Sequence, residues 1–296
     1  MNAQSLPTPS PDLPEQVRRA LAEDLGTGDL TAALVPAAQI ARASVITRDE
    51  AVICGQHWFD ETFRQLDRSI AIEWRVVEGD RTRAGTTLCN LTGPARPLLT
   101  GERTALNFLQ TLSATATAAR AYADAVAGTG VRVLDTRKTI PGLRAAQKYA
   151  VRIGGAHNHR MGLSDAILIK ENHIVAAGSL TAAVQAARQR DAEVLLEVEV
   201  ESTEQAAEAL AAGADRLLLD NFPLDRLREA VALRNQMAPG IGLEASGSIT
   251  LANVRAVAET GVDFISIGEI TKNIRAIDLS MRFQFAARPA PPVSPT

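Results

Sequence analysis

The chain has 296 residues, 46% of them hydrophobic and 22% charged, with a formal net charge of −3. That is the composition of a soluble globular protein with room for one large domain or two smaller ones. An acidic chain with 4% aromatics lacks the basic, aromatic-lined surface that nucleic acids require, and none of its apolar runs reaches the ~20 residues of a membrane span.

Residues 1–14 are rich in Pro and Ser, lack periodicity and read as a disordered tail, as do residues 287–296. The N-terminus also lacks a secretory apolar region, so a cytoplasmic location is expected. Between residues 15 and 112 the texture is mixed. A short helix, PEQVRRALAEDLG, ends at Gly26, and a second, QHWFDETFRQLD, interrupts the strand candidates ARASVITRDE, AIEWRVVEGD and TTLCNLTG. This predicts a small α+β domain with a largely antiparallel sheet. Cys54 and Cys89 fall inside it without CxxC spacing and read as idle buried thiols. A long helix is expected to start near Gly101, with Leu106, Leu109 and Leu112 as its core stripe.

After Gly130 short apolar segments alternate with amphipathic helices. The strand candidates are VRVLDT, AHNHRM, AILIKE, VLLEVEV, RLLLDN, GLEASG and FISIGE. Seven such segments predict right-handed βαβ crossovers and a parallel sheet. Polar residues end every one of them, which favours a barrel over a doubly wound sheet with a single switch point. The catalytic domain is therefore expected over residues 113–272. Residues 273–286 could form an eighth strand or return to the first domain, and the return is favoured.

Catalytic groups of an α/β barrel collect at the C-terminal ends of its strands. The first three ends are cationic on balance: Asp135-Thr136-Arg137-Lys138, His157-Asn158-His159-Arg160 and Lys170-Glu171-Asn172-His173. The next two carry carboxylates, Glu199 and Asp220, and the last two are small turns, Ser246-Gly247-Ser248 and Gly268-Glu269. Residues 135–173 hold seven Lys and Arg against three Asp and Glu, a formal +4 within a chain of −3. Such segregation builds a pocket for anions. Arg offers a planar fork to carboxylate or phosphate, and Gly turns bring bare N–H groups to a phosphate, helped by a helix start such as Thr250. Carboxylates on neighbouring strands suit sugar hydroxyls, a Mg²⁺ carried by a phosphate ester or a developing cation. Arg144, Lys148 and Arg152, at i, i+4 spacing, read as a solvated helix face. His157 and His173 read as hydrogen-bonded structural groups. Glu197, Glu199 and Glu201 share one alternating face, and the sequence does not choose among them.

These residues carry a resemblance. The stretch DTRKTIPGLRAAQKYAVRIGGAHNHRMGLSDAILIKENH is similar to the signature region of the quinolinate phosphoribosyltransferase family. The likeness extends through EDLGTGDLT, GERTALNFLQTLSATAT, LEVEVE, LLLDNF, LEASGS, GVDFISIG and IRAIDLSMRF, nearly the whole chain except its tails. It implies a seven-stranded incomplete α/β barrel with an N-terminal α+β sandwich domain, and a homodimer with active sites at the subunit interface. The implied reaction is phosphoribosyl transfer from phosphoribosyl pyrophosphate to quinolinate with decarboxylation. Its products are nicotinate mononucleotide, pyrophosphate and CO₂, in de novo NAD biosynthesis, with Mg²⁺ as cofactor.

By position, the resemblance makes Arg103 the residue lent to the partner subunit's site. Arg137, His159 and Arg160 fall in the quinolinate-binding group, Thr136 counts among the substrate-binding residues, and Lys138 and Lys170 lie between quinolinate and the phosphoribosyl donor. Glu199 and Asp220 attend the ribose and metal, and Ser246, Gly247, Ser248 and Gly268 cradle the 5′-phosphate. Ser248 and Glu269 depart from the pattern, which often has a Gly or Asn at the first and a small residue at the second. A carboxylate beside a phosphate is repulsive unless it turns away or binds a cation. Rival readings are a phosphoribosyltransferase for a monocarboxylate such as nicotinate, and a Schiff-base aldolase using Lys170.

Overall fold

The computed structural model describes residues 6–191 and 193–285, so the expected tail at 287–296 and the first five residues lie outside it. Contacts divide the chain into two units, Ala118–Ile274 and the remainder, and the division falls within one long helix.

In the first unit, α1 (Leu13–Leu25) begins inside the stretch read as tail, with Pro14 at its start, where a missing N–H costs nothing. Strand β1 (Ile40–Thr47) follows, then β2 (Ala51–Val52), α2 (Gln56–Leu66), β3 (Ala71–Trp74), β4 (Arg81–Thr82), β5 (Thr87–Pro94) and α3 (Ala95–Ala125). β1 pairs antiparallel with β5, and β5 with β3. α3 begins six residues before Gly101, which had read as its start. A Cβ at Gly101 would stand 2.7 Å from Phe63 and Leu66. This glycine is where α2 packs against α3, and it breaks neither helix.

The second unit alternates as expected. Its elements are β6 (Arg132–Leu134), α4 (Arg144–Ile153), β7 (Ile167–Ile169), α5 (Glu171–Ala177), α6 (Leu180–Arg190), β8 (Leu196–Val200), α7 (Thr203–Ala212), β9 (Arg216–Asp220), α8 (Leu224–Met237), β10 (Gly242–Ser246), α9 (Val254–Ala258), β11 (Phe264–Ser266) and α10 (Glu269–Lys272). Ser179 and Ser202 cap α6 and α7 by accepting the Ala182 and Gln205 amides, a device worth ~1 kcal/mol each. The six strands run parallel in the order β6-β11-β10-β9-β8-β7. Neighbours in space are neighbours in sequence, and the first strand pairs with the last. That is the order of a barrel, because a doubly wound sheet reverses direction at its middle.

The second candidate, residues 156–161, contributes only a single bridge between His157 and Leu134. The ladder stops because its next backbone groups are taken by side chains: Asp135 Oδ1 accepts the His159 amide, and the His159 carbonyl accepts Lys148 Nζ. The sheet is therefore open between this segment and β7.

Each barrel strand presents one face to the helices. Val133, Val198, Val200, Leu217, Leu219, Leu243, Ala245 and Ile265 join Val184, Leu210, Leu227 and Val257 in one buried core. The alternate positions, Glu197, Glu199, Leu218, Asp220, Glu244, Ser246 and Ser266, take the opposite face and line the interior. The regular helix α9 covers only Val254–Ala258, preceded by a turn in which the Thr250 carbonyl accepts the Asn253 and Val254 amides and Asn253 Oδ1 accepts the Thr250 amide. The last strand, β12 (Leu279–Phe285), pairs antiparallel with β1, so this segment belongs to the first unit's sheet and is not an eighth barrel strand.

Candidate active site

The site is organised at the end of β6 by Asp135, a fully buried carboxylate. Its oxygens accept from Lys148 Nζ, from Asn158 Nδ2 at 2.6 Å and from the His159 amide at 2.9 Å. Lys148 is also fully buried, and its Nζ donates to the His159 carbonyl at 2.8 Å. The sequence reading of Lys148 as solvated is overturned. Periodicity put it on the same stripe as Arg144 and Arg152, but the chain beyond β6 folds over that part of α4. Burial pushes Asp135 up and Lys148 down, each toward its neutral form, while their mutual attraction opposes both shifts. Arg152 stays exposed. Arg144 is a tether, donating to Thr139 Oγ1 and the Met161 carbonyl.

Pinned this way, residues 157–160 carry His159 and Arg160 to the mouth. Arg160 is half-buried and donates to the Ala166 carbonyl at 3.1 Å. Burial, and then the charge of Arg137, lower its pKa, so two guanidinium groups repel each other here. The Nε of Arg137 is itself buried and has no hydrogen-bond partner. Two close cations with an unused donor define a place for an anion with more than one carboxylate.

His159 sits beneath them. Its Nδ1 accepts the Arg160 amide at 2.7 Å, and its Nε2 lies 2.9 Å from Glu197 Oε2 and 3.6 Å from Glu244 Oε1. Both glutamates are fully buried. Burial alone would lower the imidazole pKa, but the two carboxylates outweigh it and raise it.

The opposite side of the mouth is acidic. Glu199 forms an ion pair with Lys170, whose own backbone amide is held by His173 Nδ1 at 3.0 Å. His173 thus has the structural role expected of it, whereas His157 fills its place through its backbone, with its side chain exposed. Asp220 lies one interior position beyond the Leu218 that pairs with Glu199, and its Oδ2 accepts from Asn221 Nδ2 at 2.9 Å. The three glutamates of β8 and its end are now distinct: Glu197 is buried beside His159, Glu199 faces Lys170, and Glu201 is exposed.

The two turns close the ring. Gly247 has φ +92°, and a Cβ there would stand 2.1 Å from Asn221 Oδ1, so only glycine fits. Ser248 follows at φ 46°, exposed. Gly268 is close to Lys138 and Thr136, since a Cβ on it would lie 3.2 Å from the Lys138 aliphatic chain and 3.7 Å from Thr136 Oγ1. Glu269 accepts a hydrogen bond from Tyr122, which holds the carboxylate in place without neutralising it. Arg103 stands exposed on α3 in the other unit. The sequence reading placed Asp135 and Asn158 at strand ends without giving them a role, took Lys148 for a solvated residue, and passed over Tyr122 and Glu244. Glu244 carried a usable signal, a carboxylate at the centre of an apolar strand.

The family model described as quinolinate phosphoribosyl transferase, C-terminal domain, matches residues 115–282, and its N-terminal counterpart matches residues 29–113. A relative from Mycobacterium leprae, named nicotinate-nucleotide pyrophosphorylase (carboxylating), is 43% identical over 274 residues, covering 90% of this chain and 95% of its own. The human protein of that name is 40% identical over 263 residues, with 88% of each chain covered. A solved structure of the nicotinate-nucleotide pyrophosphorylase from Francisella tularensis superposes with a TM-score of 0.90 at 44% identity, covering 96% of this chain and all of that one.

Lys148→Met should destabilise the fold by ~3–5 kcal/mol, because it leaves a buried carboxylate without its cation. Urea unfolding midpoints check this. Lys148→Met combined with Asp135→Asn should cost clearly less than the two single losses added.

Proposed function

The chain belongs to the quinolinate phosphoribosyl transferase family, and from that premise we propose that it converts quinolinate and phosphoribosyl pyrophosphate into nicotinate mononucleotide, pyrophosphate and CO₂. It is a pentosyltransferase that supplies de novo NAD biosynthesis. The observation that carries the residue-level reading is the pair Arg137 and Arg160, two half-buried guanidinium groups with an unused buried donor. Quinolinate is a dicarboxylate, and it supplies the two negative charges this pair lacks. Nicotinate would supply one.

The chemistry follows from charge. Arg137, Arg160 and His159 hold the pyridine dicarboxylate, and Lys138 and Lys170 stand between it and the donor's pyrophosphate. The bond from C1′ to the pyrophosphate oxygen breaks with its electron pair leaving on pyrophosphate, and the ribose becomes oxocarbenium-like. Glu199 and Asp220 stabilise that cation electrostatically. The pyridine nitrogen then bonds to C1′ and turns cationic. Its positive charge draws in the electrons released when the bond between C2 and its carboxylate breaks, and a proton replaces the lost CO₂ on the ring. The protein orients and balances charge in a site with little water, and needs no covalent nucleophile for this.

The 5′-phosphate is assigned to Ser246, Gly247, Ser248 and Gly268, where left-handed backbone and missing side chains bring amides forward. Mg²⁺ bound to the pyrophosphate would neutralise the leaving group. The oxygen donors that suit it are Glu199 and Asp220, hard carboxylates on one interior face. Among the described residues no helix is long and apolar enough to cross a membrane, and we place the enzyme in the cytoplasm. The working unit is a homodimer to which Arg103, exposed on α3, is lent across the interface to the partner's site.

Arg160→Ala should cost on the order of 2–4 kcal/mol in transition-state binding, measured as kcat/KM for quinolinate, because a carboxylate loses its partner. Turnover within threefold of the unaltered chain would reject the assignment. For the shared site, inactive Arg103→Ala and Asp220→Ala chains should regain activity when mixed, since a hybrid dimer carries one intact site. Absence of recovery after demonstrated subunit exchange would exclude it.

A further inference from the structure

The cluster beneath the mouth, His159, Glu197 and Glu244, holds more acid than its surroundings balance. The ring nitrogen and the nearest carboxylate oxygens lie within 4.8 Å of one another. Both oxygens of Glu197 and Oε1 of Glu244 are buried, and His159 Nε2, 2.9 Å from Glu197 Oε2, is the ring donor that faces them. Such a trio takes either a metal ion or a proton. A histidine that ligates a metal through Nε2 donates its Nδ1–H to a neighbour. Here Nδ1 is the acceptor, taking the Arg160 amide at 2.7 Å. The lone pair of Nδ1 is in use, so Nε2 carries the hydrogen and has none to offer a metal. The same bond works against the imidazolium that the two carboxylates otherwise promote, since a proton on Nδ1 would face the Arg160 N–H. With the ring neutral, the balancing proton resides on a carboxyl group.

The geometry points to Glu244 as a neutral carboxylic acid in the working enzyme, a positioning residue that leaves Glu197 as the single anion facing His159 Nε2 and so fixes the ring that anchors Arg160. This rests on the reading of His159 and Arg160 as quinolinate-binding. The groups that face Glu244 are Glu197 on β8, His159 on the segment after the bridge, Arg216 on β9 at 3.4 Å, and Ser266 on β11. Arg160 acts on the cluster through Glu197, and Arg132 of β6 reaches the Phe264 ring beside Arg216. Burial, and after it the charge of Glu197, raise the Glu244 pKa to about 8, against the pull of His159 and Arg216. The acid is therefore neutral at pH 7 and ionises as the pH rises through that value. Ionisation sets a second negative charge under a site that receives a dianion and offers His159 a competing acceptor. Quinolinate binding should weaken on the alkaline side, while the phosphoribosyl donor, held elsewhere, is spared.

Two measurements test this on the full-length enzyme. Infrared difference spectra between pH 7 and pH 9.5, without substrate, should contain a carboxylic-acid band that is lost in Glu244→Gln. The KM for quinolinate should rise roughly tenfold from pH 7 to pH 9, as expected for one proton lost near pH 8. In Glu244→Gln, whose amide cannot ionise, that ratio should stay within twofold, and the KM for phosphoribosyl pyrophosphate should not follow pH in either protein. If Glu244→Gln does not fold, Glu197→Gln serves instead, and the acid band should then titrate at lower pH because its neighbouring charge is gone. The inference is overturned if no acid band depends on Glu244, if the variant keeps the wild-type rise in KM, or if the purified chain holds a metal that Glu244→Gln releases. An acid band that titrates as expected, with a quinolinate KM that ignores pH, would keep the proton and reject the link to the substrate.

Discussion

A carboxylate buried at the end of the first barrel strand sets the geometry of everything above it. Asp135 cannot remain ionised in an apolar interior without donors, and it draws three from different parts of the chain: Lys148 of α4, the Asn158 side chain and the His159 amide. One of them, the His159 amide, is a backbone donor that would otherwise extend the ladder. The second strand is reduced to one bridge, the barrel stays open at that point, and residues 157–160 turn toward the mouth instead of continuing the ladder. The opening in the sheet and the delivery of His159 and Arg160 to the site are one event.

Above that anchor the site is held in electrostatic tension. Arg137 and Arg160 repel each other, and the Arg137 Nε lacks a partner. On the other side of the mouth Lys170 is satisfied by Glu199, and Asp220 by Asn221. The cationic half thus awaits a dianion, whereas the acidic half is already paired. In the proposed reaction a dicarboxylate ring would satisfy the first half, and a sugar whose charge grows positive would draw on the second. The strain is stored in charge, where binding can release it.

Much of this was legible in the sequence because barrel strands alternate with a period of two and end in polar groups. The order of the strands, the cationic and acidic halves, and the Gly turns all follow from local pattern. What escaped was non-local. Lys148 has the spacing of a solvated residue, and only the chain folding back from β6 buries it. Residues 156–161 have the composition of a strand, but the His159 amide is claimed by a carboxylate more than twenty residues earlier. Gly101 looks like a helix boundary until α2 is seen to need its missing side chain. Thr250 reads as a helix start, and a turn does begin there, but the regular helix runs only over Val254–Ala258. The three glutamates of β8 are equivalent by alternation and separate only by what faces each of them.

The central claim is that the Arg137–Arg160 pair recognises two carboxylates on one ring. Isothermal titration of the enzyme with quinolinate and with nicotinate, in the absence of the phosphoribosyl donor, tests it most directly. The account predicts that quinolinate binds at least tenfold more tightly, the difference of one charge-assisted contact worth ~1.5–3 kcal/mol, and that the advantage disappears in Arg160→Ala. Equal affinity for the two acids in the unaltered enzyme would contradict it.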